Sequence, residues 1–127
     1  MRGVMEHRRH FTLTQANALR PWVAERVRRL RFAREELDGI AEPAEPIAVA
    51  AGGSWPGRRH AGAAVTLLLT LEELDRHDIV VRDADRGVVD FPALRDGEEV
   101  YLCWLVGEPE IGHWHRLEAG FLGRLPL

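Results

Sequence analysis

Apolar residues recur at spacings of three and four along the first third of the chain, which is the pattern of an amphipathic helix. Thr12 and Gln15 precede this stripe with the spacing of a capping box, and Gly39 follows it as a stop signal. We therefore predict helix 1 at about 13–38, with a kink at Pro21 because an interior proline removes a backbone hydrogen bond. The stripe consists of Ala16, Leu19, Val23, Val27, Leu30, Ala33 and Leu37.

A region without a hydrophobic period separates helix 1 from the next helical pattern. Residues 41–61 contain three prolines and three glycines, which predicts a connecting linker. A second stripe then predicts helix 2 at about 62–77. Val65 and Leu69 widen this stripe beyond what a single partner helix needs, so we expect helix 2 to make a second contact. The main stripe consists of Ala64, Leu67, Leu68, Leu71 and Leu74.

After helix 2 the hydrophobic period changes to two, which predicts β-strands. Short strands and turns alternate over residues 79–117, with a strong two-residue hairpin signal at Asp96-Gly97. Residues 118–127 follow as a tail. The whole chain, 1–127, is thus predicted to be a single α+β domain in which a two-helix antiparallel hairpin precedes a small antiparallel β-meander.

The turn lengths predict how the strands pair. The two-residue hairpin places Val89 opposite Trp104, and the turn at 107–110 places His113 opposite the same tryptophan. One face then carries Val89, Phe91, Leu102, Trp104, Val106, Ile111, His113 and His115. The other carries Asp90, Tyr101, Cys103, Leu105 and Trp114. A sheet with one wet face alternates apolar with polar residues, and this one does not, so its second face is expected to need a partner subunit, the folded-back tail or a ligand.

Composition narrows the classes of function. The single cysteine, Cys103, makes an internal disulfide impossible, and the absence of lysine excludes a Schiff-base lysine and a phosphate-loop lysine. The first residues are basic and polar, and the chain has no apolar run long enough to cross a bilayer. We therefore expect a cytoplasmic protein without a membrane partner.

Charge is divided unevenly along the chain. Residues 1–60 hold eleven arginines and seven acids, whereas residues 61–127 hold six arginines and thirteen acids. The two halves can face each other within one fold or across a dimer. On a helical wheel Arg20 and Arg31 lie on one side of the apolar stripe of helix 1, and Arg26 lies on the other. The arginines are thus spread over the solvent-exposed surface of the helix and do not form one basic groove. With a net charge of −3, we expect no nucleic-acid partner.

Two parts of the sequence resemble a bacterial family called domain of unknown function 2203. The family's C-terminal signature is similar to residues 85–127, DRGVVDFPALRDGEEVYLCWLVGEPEIGHWHRLEAGFLGRLPL. Its start is similar to residues 11–23, FTLTQANALRPWV. The resemblance implies a small bacterial protein with two helices and β-structure. It implies no established activity and no catalytic residue.

His113 and His115 place two imidazoles on one side of a strand, about 6–7 Å apart along it. With Glu110, or with Glu108 from the same turn, they supply three ligands for zinc or a similar divalent metal. In the other interpretation both histidines pack beside Trp104, with their ring nitrogens bonded to backbone or carboxylate groups. We favour this second interpretation, and expect no cofactor, because a third histidine or cysteine at ligand spacing is missing.

Asp90 is predicted in mid-strand beside Cys103, where a carboxylate must be paired or neutral. Asp83 and Asp85 either join it in a cation site or, as such residues more often do, shape a turn. In the predicted register both histidines lie on the face opposite Cys103, so a buried, inert thiol is expected. The candidate partners of Asp90 are Arg86, Arg95, Arg116 and Arg124.

Surplus apolar surface on the sheet, on helix 2 and at Phe32 favours a non-catalytic homodimeric binding or interaction module. The alternative is a metal-dependent or pocket-based enzyme. A further option is an adaptor that docks another protein along the charged outer face of helix 1. The candidate pocket for the alternative consists of Asp90, Arg86, Trp104, Glu108, Glu110, His113, His115 and Arg124.

Overall fold

The computed structural model describes residues 5–41 and 54–127. Two α-helices precede a five-stranded antiparallel sheet, so the predicted α+β class is confirmed. The strands lie across the sheet in chain order, as a meander requires. The helices are α1, Leu13–Ala41, and α2, Ser54–Arg76. The strands are β1, Val80–Asp83, β2, Val88–Arg95, β3, Glu98–Leu105, β4, His113–Arg116, and β5, Leu125–Pro126.

The predicted capping box opens α1. The backbone N–H of Gln15 donates to Oγ1 of Thr12 at 3.1 Å, and the N–H of Thr12 donates to Oε1 of Gln15 at 3.0 Å. The helix continues through Pro21. It also continues past Gly39 to Ala41, so the glycine does not act as the stop signal that the sequence suggested.

The second helix begins earlier than predicted. α2 starts at Ser54, inside the predicted linker, because Pro56 falls in the first turn, where a helix does not use the missing N–H of proline. The rest of that linker, 42–53, lies outside the described residues. None of the helices that the structure describes has a segment long and apolar enough to cross a membrane.

One face of the sheet packs on the helices and forms the core. Val89 and Phe91 of β2 are fully buried there, together with Leu102 and Trp104 of β3. Burial of a large apolar side chain contributes about 1.5–3 kcal/mol, so this layer dominates the stability of the fold. The predicted stripe of α1 supplies Ala16, Val23, Val27, Leu30 and Ala33 to the same core.

Ion pairs join the basic first half of the chain to the acidic second half. Arg26 of α1 pairs with Glu73 of α2. Arg34 of α1 pairs with Asp85 in the turn between β1 and β2 at 2.9 Å. Ion pairs within the fold therefore compensate part of the uneven charge distribution.

The predicted register between β2 and β3 is confirmed. Val89 faces Trp104 across the two strands. The connecting residues Asp96 and Gly97 have φ angles of 52° and 81°, which is the left-handed conformation that a two-residue hairpin turn of type I′ needs.

The predicted register between β3 and β4 is wrong by one position. His113 pairs with Cys103 instead of Trp104. Because side chains alternate along a strand, this slip moves every residue of β4 to the other face. Both histidines of β4 therefore lie on the same face as Cys103, and Trp114 packs against the core.

Contacts with α1 explain the slip. The backbone N–H of Ile111 donates to Oδ1 of Asn17 at 2.8 Å, and Ile111 is buried in the core. Glu108 accepts a hydrogen bond from the N–H of Leu105 at 2.7 Å. The loop between β3 and β4 is thus shaped by side chains and by a helix distant in sequence. For this reason the turn-length rules for short hairpins do not set the register of the two strands.

The second face of the sheet is covered by residues of the same chain. The N-terminal segment, residues 5–11, bonds to β2 through the N–H of Phe11 and the carbonyl oxygen of Pro92 at 2.7 Å. His7 bonds the hydroxyl of Tyr101 at 2.6 Å, and Arg82 lies over the same ring at 4.7 Å. Tyr101 is only 3% exposed as a result. A partner subunit on this face is therefore not required.

The tail completes this cover, as one of the sequence-based alternatives expected. Nη2 of Arg124 donates to the carbonyl oxygen of Cys103 at 3.3 Å. The two-residue strand β5 pairs with β4, with Leu125 opposite Trp114. The sequence did not predict β5 because two residues are too few to show a period.

Glu99 anchors the N-terminal segment. Its carboxylate accepts hydrogen bonds from the N–H groups of Glu6 at 2.8 Å and His7 at 3.0 Å, and it bonds Nε2 of His10 at 2.7 Å. Burial by itself would raise the pKa of Glu99. The hydrogen bonds from His10, Glu6 and His7 outweigh burial, and the pKa is lowered.

We expect this anchor to weaken in acid. Because the folded-state pKa of Glu99 is lowered, its contribution to stability is present above about pH 4.3, the ordinary value for glutamate, and is lost as the pH falls through the folded-state pKa. Urea unfolding of the wild type and Glu99→Gln between about pH 3 and pH 7 should show a weaker pH dependence in the variant. Parallel curves would contradict this account of the anchor.

Candidate functional site

Three reactive side chains converge on the second face of the sheet. Asp90 comes from β2, Cys103 from β3 and His115 from β4. Their possible ligand atoms all lie within 4.8 Å of one another, and none of the three side chains is more than 1% exposed. We call these residues the buried trio. Within 5–41 and 54–127, no other group of three histidine, cysteine or acidic residues converges in this way.

Asp90 is held by two partners, one on each oxygen. Oδ1 lies 2.9 Å from Nε2 of His115, and Oδ2 accepts a hydrogen bond from Nε of Arg82 at 2.8 Å. Burial acts to lower the pKa of Arg82, but its bond to Asp90 outweighs burial and raises the pKa. Arg82 is therefore a permanent cation beside this carboxylate.

The sequence named the wrong arginines as partners of Asp90. The pairing of β1 with β2 shifts between Val81 and Asp83, and the ion pair is made by Arg82, which lies at this irregularity. The four predicted arginines lie elsewhere: Arg86 beside Asp83, Arg95 over the ring of Trp114, Arg124 against Glu108, and Arg116 exposed.

His115 is fixed by bonds at both ring nitrogens. Nδ1 lies 2.7 Å from the carbonyl oxygen of Arg116, and Nε2 faces Asp90. The ring of Tyr101 packs beside the imidazole, with the ring centroids 5.5 Å apart. The backbone and an aromatic neighbour thus fix where Nε2 of His115 lies relative to Asp90 and Cys103.

Cys103 is a buried free thiol with a base nearby. The predicted register placed both histidines on the opposite face, and this is wrong, because His115 belongs to the same trio. Burial raises the pKa of the thiol to about 12, Asp90 adds to the rise, and Arg124 opposes it. A protonated thiol is a poor nucleophile, so the arrangement does not favour thiol catalysis.

Glu108, His113 and Arg124 form a second cluster next to the trio. Oε1 of Glu108 accepts a hydrogen bond from Nη2 of Arg124 at 2.5 Å, and Oε2 lies 3.6 Å from Nδ1 of His113. The backbone carbonyl of Glu108 accepts a hydrogen bond from the indole of Trp104 at 2.9 Å. These bonds hold the loop between β3 and β4 against the tail.

The structure does not bring the predicted metal ligands together. His115 is buried beside Asp90, His113 is half-buried beside Glu108, and Glu110 is exposed in the loop. Asp83 shapes the turn between β1 and β2 by accepting a hydrogen bond from the N–H of Arg86 at 3.0 Å. The predicted pocket residues are therefore divided among the trio, the second cluster, a surface turn and the core.

Arg82 and His7 were not predicted as site residues. Arg82 could have been found from its charge directly after the apolar run 79–81, one strand away from Asp90. No local pattern points to His7, because its contact with Tyr101 joins residues 94 positions apart in the sequence.

Comparison with known proteins agrees with the resemblance seen in the sequence. The profile of a family described as an uncharacterized conserved protein, DUF2203, matches residues 9–127. No curated protein and no solved structure matches the chain. The comparisons therefore supply no reaction, and the function has to be argued from the geometry.

Proposed function

Since the chain belongs to the DUF2203 family, whose description assigns no activity, we propose from its surface that it is a homodimeric, non-catalytic interaction module. The observation that carries the proposal is an apolar surface on the helices. Val65, Leu68 and Leu69 of α2 are 54%, 66% and 58% exposed, and Phe32 of α1 is 66% exposed. We call these four residues the hairpin patch.

Thr66 is the residue that links the α2 part of the hairpin patch to Phe32 of α1. Helical spacing places Val65, Leu68 and Leu69 on one side of α2 within roughly 100° of one another. Thr66, which lies between them in sequence, lines a groove together with Phe32. A contiguous apolar surface of this kind on a folded domain marks an interaction site.

Charge on the rim favours a second copy as the partner. Arg28, Arg29 and Glu25 of α1 border the groove at Phe32 on one side, and Glu25 pairs with Arg29 at 2.7 Å, so this rim keeps a net positive charge. Exposed Glu72 lies two helical turns after Val65 and extends the other side of the patch. A two-fold axis brings the same patch of both copies together and sets the basic rim of one helix against the acidic rim of the other.

The interface proposed here keeps two of the three apolar surfaces that the sequence suggested, those on helix 2 and at Phe32, and leaves out the sheet. The second sheet face is buried under the N-terminal segment and the tail, so surplus apolar surface is found on the helices instead. A stable interface buries about 800 Å² on each partner. The four patch residues contribute its apolar centre, and the groove along α1 widens it.

Sedimentation or light scattering of the untagged protein at micromolar concentrations tests this proposal. We expect the wild type to be a dimer and Leu68→Glu to be a monomer with an unchanged circular dichroism spectrum, because the exposed side chain contributes little to the fold. Leu122→Glu is the matched control, since Leu122 is 99% exposed but lies in the tail. This variant should remain a dimer.

Two results would overturn the proposal. A wild type that stays monomeric at about 100 µM, well above typical dimer dissociation constants, would show that the patch serves another occupant, such as residues 42–53 or a different protein. A dimer that survives Leu68→Glu and Leu69→Glu would show that the copies meet elsewhere. Glu72→Arg offers a further test, since it should weaken the dimer and regain affinity when combined with Arg28→Glu and Arg29→Glu.

A further inference from the structure

The buried trio has the donor set of a metal site. Carboxylate, imidazole and thiolate groups are the ligands that proteins use for zinc and similar divalent ions. Each ligand of the trio comes from a different neighbouring strand, so the hydrogen bonds of the sheet fix their spacing. A tetrahedral ion separates its ligand atoms by roughly 3.3–3.8 Å. The three possible ligand atoms lie within 4.8 Å of one another, and binding would move Nε2 of His115 and Oδ1 of Asp90 apart from their present 2.9 Å.

The hydrogen bonds of His115 require a hydrogen between Nε2 and Asp90. Nδ1 lies 2.7 Å from the carbonyl oxygen of Arg116, which can only accept, so Nδ1 carries a hydrogen. A neutral imidazole then has a lone pair at Nε2, yet Nε2 faces a carboxylate oxygen of Asp90 at 2.9 Å. Two acceptors at this distance need a proton between them, and a divalent ion can take the place of that proton once the two atoms move apart.

The outer contacts of the trio are those that orient metal ligands. Arg82 bonds Oδ2 of Asp90, so that the other oxygen, Oδ1, faces His115. The carbonyl of Arg116 holds the imidazole of His115 with Nε2 pointing inward. Ligating histidines and carboxylates in metalloproteins have partners of this kind, and loss of one typically weakens metal binding by about 10–100-fold.

We propose that Oδ1 of Asp90, Sγ of Cys103 and Nε2 of His115 bind one divalent ion of the zinc class, with a water molecule as fourth ligand. The ion replaces the proton between His115 and Asp90 and the proton of the thiol. The sulfur ligand disfavours Mg²⁺ and Ca²⁺, which prefer oxygen. The site is independent of the proposed dimer, because it lies on the sheet face opposite the helices.

Cobalt absorption tests the site directly. Untagged protein is exposed to Co²⁺ in the folded state and, because the trio is fully buried, also during refolding from urea. We expect one equivalent of Co²⁺ to bind, with a near-ultraviolet charge-transfer band from a sulfur–cobalt bond. Cys103 is the only cysteine, so this band can come from no other residue. Zn²⁺ should displace the cobalt and raise the melting temperature.

Variants locate the remaining ligands. Cys103→Ser should lose the charge-transfer band, and His115→Gln should weaken cobalt binding at least about tenfold. His113→Gln is the matched control, since His113 lies on the same strand but outside the trio. Circular dichroism checks that each variant folds. The proposal fails if the wild type shows no sulfur–cobalt band under either loading condition, or if His113→Gln removes the binding.

Discussion

Replacing Asp90 by alanine should lower the free energy of unfolding by about 1–3 kcal/mol. The substitution leaves the guanidinium of Arg82 and the buried ring of His115 without their acceptor. The Arg82 side chain is 41% exposed and stays partly solvated, so the cost comes mainly from the buried imidazole that loses its acceptor. Urea unfolding at pH 7 measures the effect. Asp90→Asn keeps the volume of the side chain and should show most of the same loss.

Asp85 provides the matched control for this experiment. It pairs with Arg34 at 2.9 Å, but both side chains are largely exposed. Exposed pairs contribute about 0–1 kcal/mol, so Asp85→Ala should have a small effect. If Asp90→Ala cost no more than Asp85→Ala, the network around the buried trio would not be a stabilising feature of the fold.

Replacing Phe11 by alanine should cost about 3–5 kcal/mol, the usual loss for a buried phenylalanine. Phe11 is 3% exposed and meets the ring of Phe91 edge to face, with the ring centroids 5.6 Å apart. It also connects the N-terminal segment to α1. Its loss should therefore weaken the cover of the second face as well as the core, which amide hydrogen exchange at Tyr101 can detect.

Phe32 is the natural comparison for Phe11. The residue type is the same, but Phe32 is 66% exposed. At protein concentrations too low for association, Phe32→Ala should change stability by no more than about 0.5 kcal/mol. Urea unfolding of both variants under the same conditions separates the two roles. If Phe11→Ala lowered the free energy of unfolding as little as Phe32→Ala, the N-terminal segment would contribute little to the folded state.

The two proposals concern different parts of the molecule and can fail separately. The dimer depends on exposed side chains of the helices, whereas the metal site depends on buried side chains of the sheet. Leu68→Glu should leave the cobalt spectrum unchanged. Cys103→Ser should leave the sedimentation behaviour unchanged.

Local patterns in the sequence determined the buried stripe of α1 and the hairpin of β2 and β3, whereas Leu68 and Leu71 of the predicted helix 2 stripe are exposed. A period of three to four residues identifies the buried stripe of α1, because one side of a helix faces the core. The pair Asp96-Gly97 fixed the register of β2 and β3, since a two-residue turn leaves only one pairing. In both cases the interactions that decide the structure join residues close together in sequence.

Contacts between distant residues decided the rest. Both faces of the sheet are apolar, so the pattern of β4 was compatible with either register, and a bond from Ile111 to Asn17 of α1 accompanies the observed pairing. The same pairing brings His115 next to Cys103. The N-terminal segment covers the second face through bonds to Glu99 that span some ninety positions of sequence. Periodicity cannot report such contacts, because only folding brings these groups together.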